Sequence, residues 1–180
     1  MPHNYLVTGP PRSGKTTVVQ TLVDRLEPRG YRAGGVVCPE IREDGERVGF
    51  EIVDVAAGDS RVLAHVDQPE GPSVGKYRVN VPNVDAICRT AFSRAPDSAD
   101  FLVVDEIAPM EVHSDEFVRS VRRALDGDVP LVAAVHYRST AGFIGEVKDR
   151  DDVGIFEVTE ATRDRLPERI EARILAVLDT

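Results

Sequence analysis

The sequence predicts an α/β domain: a mostly parallel sheet with helices on both faces, and an antiparallel hairpin insertion at about residues 40–77. Three observations lead there. Short β-branched runs alternate along the chain with amphipathic stretches of helical period. The runs at 101–104 and 131–135 are continuously apolar, and that at 155–158 is apolar but for Glu157, as expected of strands buried on both faces. A glycine-rich turn then separates the first strand pattern from the first helix pattern, a join common in parallel sheets.

In chain order, Tyr5 to Thr8 reads as the first strand. The following helix carries Val18, Val19, Leu22, Val23 and Leu26 on one face and stops near Pro28 and Gly30. Ala33 to Val37 is the second strand. From Glu40 to about Tyr77 the helical period is lost, and the turn signal Glu43-Asp44-Gly45-Glu46 precedes Val48, Phe50 and Ile52 in alternation with polar residues. Residues Asp67 to Pro72 form a loop. Val84, Ile87, Cys88, Ala91 and Phe92 mark a second helix, and Phe117, Val118, Val121 and Leu125 a third, closed by Gly127. The apolar runs from Phe101, Leu131 and Ile155 supply the remaining central strands. The last helix has Pro167 in its first turn and carries Ile170, Ile174, Val177 and Leu178 on one face.

Composition bounds the function. A chain of 180 residues with 42% hydrophobic and 29% charged residues has the make-up of one globular domain, expected here to span residues 1–180. Disorder, collagen-like repeats and coiled-coil rods are excluded. Apolar runs fall far short of the roughly 20 residues that cross a bilayer, and the N-terminus has no signal pattern, so a cytoplasmic protein without membrane attachment is expected. A net charge of −9 disfavours a nucleic-acid partner. Cys38 and Cys88 lie too far apart for a metal-ligand doublet and read as small buried hydrophobes.

The chemistry concentrates in two segments. Gly9-Pro10-Pro11-Arg12-Ser13-Gly14-Lys15-Thr16 fits Gly-x4-Gly-Lys-[Ser/Thr] between a strand and a helix, and Thr17 continues it. Such a loop converges backbone N–H groups on phosphate oxygens at a helix N-terminus. Lys15 is then expected on the β- and γ-phosphates and the Thr16 hydroxyl on Mg²⁺. Asp105-Glu106 closes the strand Phe101 to Val104 at the carboxyl edge of the sheet, where open α/β sheets bind ligands. Asp105 fits the metal-side acid and Glu106 the carboxylate that orients or deprotonates an attacking water. No Asn-Lys-x-Asp guanine reader, no AAA-type helical domain and no transporter-type Leu-Ser-Gly-Gly occurs.

These residues, with Glu40-Ile41-Arg42, Arg47-Val48-Gly49-Phe50, Val74-Gly75-Lys76-Tyr77, Asp105 through Glu111, Val158-Thr159 and Arg163 through Pro167, resemble a known family. It is the small P-loop nucleoside-triphosphatases first described from thermophiles, which include the human cancer-related nucleoside-triphosphatase. The resemblance covers nearly the whole chain. It implies a RecA-like P-loop fold and Mg²⁺-dependent hydrolysis of ATP, GTP and other triphosphates to diphosphate and phosphate. Two positions depart from the family: Ala108 stands where glycine is usual, which asks whether that backbone needs positive φ, and Thr162 stands where asparagine is usual, which bears on base preference.

Weaker candidates remain beside this core. Glu40 and Arg42 share one face of an extended segment and are read equally as phosphate-site residues or a surface ion pair, with Arg47 and Lys76 behind them. His136 follows a strand at the catalytic edge and is a candidate γ-phosphate sensor or a plain loop histidine. For an arginine finger the order is Arg138, Arg42, Arg12. Two other functions use the same loop: a small-molecule or nucleotide kinase, and a nucleotide-dependent interaction protein docking through the insertion.

Overall fold

The computed structural model describes residues 3–180. The chain opens with β1 (Asn4–Thr8), α1 (Lys15–Leu26) and β2 (Ala33–Val37). The insertion follows as β3 (Glu40–Glu43), β4 (Glu46–Asp54), β5 (Ser60–His65), β6 (Ser73–Val74) and β7 (Tyr77–Val79). Next come α2 (Val81–Ser93), α3 (Ala95–Ser98), β8 (Phe101–Ile107), α4 (Asp115–Asp126), β9 (Leu131–Val135), α5 (Gly142–Lys148), β10 (Val153–Glu157) and α6 (Leu166–Leu178).

One sheet holds these strands in the order β10-β1-β9-β8-β2-β4-β5-β7-β6, with β3 folded back on β4. From β10 to β2 every pairing is parallel. The loops that follow β1, β2, β8, β9 and β10 therefore leave from one edge of the sheet, the geometry that parallel α/β folds use for ligands. Alternation along each strand divides the core. Tyr5, Val7, Phe101, Val103, Val132 and Ala134 pack with the buried faces of α1 and α6. Their neighbours Leu6, Leu102, Val104, Ala133 and Val135 point the other way, toward α2, α4 and α5.

The helix faces follow the apolar spacing. α1 buries Val18, Val19, Leu22, Val23 and Leu26, and it ends in a turn at Glu27–Arg29 with Gly30 left-handed at φ 93°. α2 buries Val84, Ile87, Cys88, Ala91 and Phe92, and Asn80 caps it by accepting from the Asn83 N–H. α4 is capped by Ser114, which accepts from Phe117, and ends at Gly127; that glycine is extended at φ −82° and not left-handed.

Three features differ from the sequence reading. The run from Ile155 was expected as a central strand buried on both faces, yet β10 starts at Val153 and is the sheet's edge, with Ile155 51% exposed. An apolar run reports hydrophobicity but not how many neighbours a strand has. The insertion is antiparallel as expected, and its Asp44-Gly45 turn has φ of 50° and 81°, the positive pair of a two-residue hairpin. It does not stand apart from the sheet: β4 pairs with β2 through Val36↔Asp54 and Val37↔Val53 and so extends it. The helices α3 and α5, of four and seven residues, were too short to show a period.

This packing predicts a contrast within one sheet. Leu102→Ala, at a side chain 2% exposed, is expected to cost about 2–5 kcal/mol in urea unfolding. Ile155→Lys on the open edge is expected to change stability by less than about 0.5 kcal/mol. Equal losses at the two positions would contradict the assignment of β10 to the edge.

Candidate active site

The turn after β1 folds tightly back on itself. The Ser13 N–H donates to the Pro10 carbonyl at 3.1 Å, and Val18 N–H to Gly14 O at 3.0 Å starts α1. Gly14 sits at φ 109° and Arg12 at φ 65°. A side chain at Gly9 would meet Ser13 Oγ at 2.6 Å and the Val158 carbonyl at 3.0 Å, so the loop closes against the start of the segment after β10 only because that position is glycine. The result places N-terminal amides of α1 at the carboxyl edge of the sheet, with partial positive charge facing outward.

Lys15, in the first turn of α1, reaches across to Glu106 on β8, with Nζ and Oε2 3.1 Å apart. The two motifs, 91 residues apart in sequence, thus form one site. β8 runs through Ile107, so Asp105 and Glu106 lie within the strand and not beyond its end as the apolar run implied. The ladder with β9 shifts register between Asp105 and Ile107, which leaves Glu106 outside the regular pairing. Burial pushes the Asp105 carboxyl up to about 6; a hydrogen bond from Thr16 and the charge of Lys15 act the other way. Thr16 and Asp105 are therefore neighbours at this edge. Their hydroxyl and carboxylate oxygens are the hard donors that Mg²⁺ takes, with its other positions left to phosphate and water.

The remaining predicted residues divide. His136 is half-buried beside this edge: its N–H donates to the Ile107 carbonyl at 3.0 Å, and its Nδ1 and Ser139 Oγ are 2.7 Å apart. Arg138 is exposed and makes no hydrogen bond or ion pair among the described residues. Arg42 bonds Glu40 Oε2 at 2.9 Å and the Gly45 carbonyl at 3.1 Å. Glu40 also takes Arg47, whose Nε donates to the Tyr77 hydroxyl at 2.9 Å. These side chains brace the β3–β4 hairpin. Thr162 ties its own loop, donating to the Glu157 carbonyl at 2.8 Å and accepting from the Thr159 N–H at 2.9 Å. Ala108 keeps negative φ, so glycine is not required there.

Three features escaped the sequence reading. Lys148 on α5 donates to the Tyr137 and Ser139 carbonyls at 3.0 and 2.7 Å, and burial with the nearby charge of Lys15 lowers its pKa. A cleft of about 440 Å³ opens beside the phosphate loop, between Arg12, Thr17 and Thr21 on one side and Arg163, Asp164 and Pro167 on the other. Glu111, in the helical turn after β8, is only 5% exposed. Burial pushes its carboxyl up to about 8, helped by the charges of Glu106 and Asp105, and its Oε2 is buried without a hydrogen-bond partner. The sequence signal for Glu111 was its place in the Asp105–Glu111 segment; nothing in the residue pattern said that it would be buried.

A strand-loop-helix phosphate cradle facing a strand-borne acid pair, on a parallel sheet, defines a P-loop nucleotide-binding protein of the α/β class. The comparisons narrow this further. The family described as NTPase matches residues 4–171, and the chain belongs to it. It is 44% identical over 180 residues to the nucleoside-triphosphatase THEP1 of Methanopyrus kandleri, covering 99% of both chains. The match to THEP1 of Thermofilum pendens is 41% over 176 residues, 97% of each. The crystal structure of THEP1 from Aquifex aeolicus superposes with a TM-score of 0.83 at 30% identity, over 98% of this chain and 99% of that one. The solution structure of a human cancer-related nucleoside triphosphatase gives 0.79 at 27% identity, over 96% and 97%.

The buried acid makes stability depend on pH. Folded Glu111 holds its proton up to about pH 8, whereas the unfolded chain releases it near about 4.3. Between these values the folded state binds more protons, so this group stabilises the fold at low pH and the contribution is lost as pH rises through about 8. Glu111→Gln removes that dependence. The urea midpoint of the parent protein is therefore expected to fall more steeply than that of E111Q between pH values of about 5 and about 9, and parallel profiles would contradict a buried, protonated Glu111.

Proposed function

We propose that this chain hydrolyses nucleoside 5′-triphosphates to diphosphate and phosphate, with Mg²⁺ and with broad use of bases, as a cytoplasmic enzyme. The observation that carries the reading is the Lys15–Glu106 contact at 3.1 Å, because it sets the phosphate-binding lysine and the water-side carboxylate on one spot. The named relatives are nucleoside-triphosphatases that this chain matches over 99% and 97% of their length. Among the described residues no helix is long and apolar enough to cross a membrane.

The loop from Gly9 to Thr17 holds the triphosphate through backbone N–H groups, and Lys15 bridges its β- and γ-phosphates. Drawing Lys15 onto phosphate frees the Glu106 carboxylate from its ion pair. Glu106, with its side chain 30% exposed, then accepts a hydrogen bond from water and aims it in line at the γ-phosphorus. In a loose transition state that role is chiefly positioning. Thr16 and Asp105 would hold Mg²⁺, which when bound neutralises charge on the phosphate oxygens. The nucleoside lies in the cleft between Thr17 and Thr21 and the Arg163–Asp164 pair. Arginine guanidinium planes stack on any base, and this supports broad base use.

Glu106→Gln is expected to lower kcat by about 10²- to 10⁴-fold with KM for ATP within a few-fold of the parent. Lys15→Ala is expected to lose about 10²- to 10³-fold in kcat/KM, since it removes a charged donor from both ground and transition states. Phosphate release across a panel of ribo- and deoxynucleoside triphosphates, with Mg²⁺ and with chelator, measures all of these. Unchanged release by E106Q would remove Glu106 from the mechanism.

A further inference from the structure

The hydrolytic mechanism makes no use of the loop between β9 and α5, which stands beside the phosphate site. In the sheet β9 lies between β1 and β8, so this loop leaves the edge between the phosphate loop and Glu106. Its first residue is tied to β8 by the bond from the His136 N–H to the Ile107 carbonyl at 3.0 Å. Its second leans the other way, with Tyr137 Oη 3.5 Å from Glu157 Oε1 at the end of β10. β1 runs between β9 and β10, so that contact crosses the end of β1, where the phosphate loop begins.

The same loop is fastened to α5. Lys148 donates from Nζ to the Tyr137 and Ser139 carbonyls at 3.0 and 2.7 Å, and it forms no ion pair among the described residues. Bonds from an ammonium group are charge-assisted and stronger than neutral ones, so one side chain sets two peptide groups at once. Ser139 Oγ and His136 Nδ1, 2.7 Å apart, close the turn from within. Gly145 leaves room for the Thr140 carbonyl, which any side chain at that position would strike.

Residues 137 and 139 are thus held on either side of one that is not. Arg138 is exposed and has no hydrogen bond or ion pair among the described residues. A fastened backbone that carries an unpartnered guanidinium suits a side chain whose partner arrives from solution, and phosphoryl oxygens match its several N–H donors. Arg42 is instead engaged with Glu40 and the Gly45 carbonyl, and Arg12 lines the cleft in which the nucleoside is proposed to lie.

We propose that Arg138 donates to the γ-phosphoryl oxygens in the transition state of hydrolysis, and that Lys148 is the positioning residue that sets the Arg138 backbone for that contact. The water oxygen bonds the γ-phosphorus, the bond to the bridging oxygen breaks, and its electron pair leaves with the diphosphate. One water proton stays on the released phosphate and the other passes to solvent. Arg138 offsets negative charge on oxygen during this exchange and transfers no proton. The inference rests on triphosphate hydrolysis at this edge.

The test measures steady-state ATP hydrolysis, and equilibrium binding of a non-hydrolysed ATP analogue, by the full chain as parent, R138A, K148M and R138A/K148M. R138A is expected to lower kcat at least about 10²-fold with Kd for the analogue within about threefold, because the contact forms chiefly in the transition state. K148M keeps an apolar stem and releases both carbonyls, and it is expected to lower kcat about 10-fold with the same Kd. Once the arginine is gone its placement no longer matters, so the double variant is expected to match R138A within about twofold. A kcat for R138A within about threefold of the parent, or a Kd weakened as much as kcat falls, would overturn the role of Arg138. A double variant whose losses multiply would overturn the role of Lys148, since a general loss of structure behaves in that way. Should K148M fail to fold, K148Q, shorter and uncharged, takes its place in the same comparison. Absence of phosphate release by the parent would instead overturn the hydrolytic reading itself, whatever the variants do.

Discussion

The ion pair between Lys15 and Glu106 is the contact on which the site depends, because it is where two distant parts of the chain become one. As a source of stability it counts for little: partly exposed pairs of this kind contribute about 0–1 kcal/mol. Its importance is positional. β1 and β8 lie in one parallel sheet with only β9 between them, so the loop after β1 and the acids near the end of β8 meet at one edge. Any topology that reversed either strand would part them. In the proposed mechanism the pair also arms the site, since the same lysine cannot bind Glu106 and a polyphosphate equally well, and the arrival of substrate releases the carboxylate.

Around that contact the acids differ by environment. Asp105 is 9% exposed and meets the Thr16 hydroxyl, whereas Glu106, one residue on, keeps a partly open side chain. Glu111 is enclosed and protonated well above the usual range of a carboxylate. Three carboxyl groups within seven residues thus sit in three environments, largely buried at Asp105, partly open at Glu106 and enclosed at Glu111. Burial sorts them, with no change of residue type needed beyond Asp to Glu.

Much of this was legible in the chain. The spacing of glycine, lysine and threonine at 9–16 carries its own mechanism, and the helix faces of α1 and α2 follow residue by residue from the apolar period. The faults lie where local pattern carries no information about neighbours. Ile155 reads like Leu131, yet one lies on an edge strand at 51% exposure and the other in the middle of the sheet at 0%. The pairing of β4 with β2 joins segments whose alternation is compatible with a free hairpin or with a sheet extension. Lys148 sits on a seven-residue helix with no periodicity to announce it, and its bonds to the loop after β9 arise only from tertiary packing. Glu111 looked like any acidic residue at the start of a turn, and its burial arises only in the folded tertiary structure.

The central claim is that water held by Glu106 attacks the γ-phosphorus of a triphosphate cupped by the 9–17 loop. A single turnover of ATP in ¹⁸O-water, with products resolved by mass, tests it most directly. One ¹⁸O in the released phosphate and none in the diphosphate is the result this geometry predicts. Label in the diphosphate, or phosphate passed to an added hydroxyl acceptor without label, would contradict it.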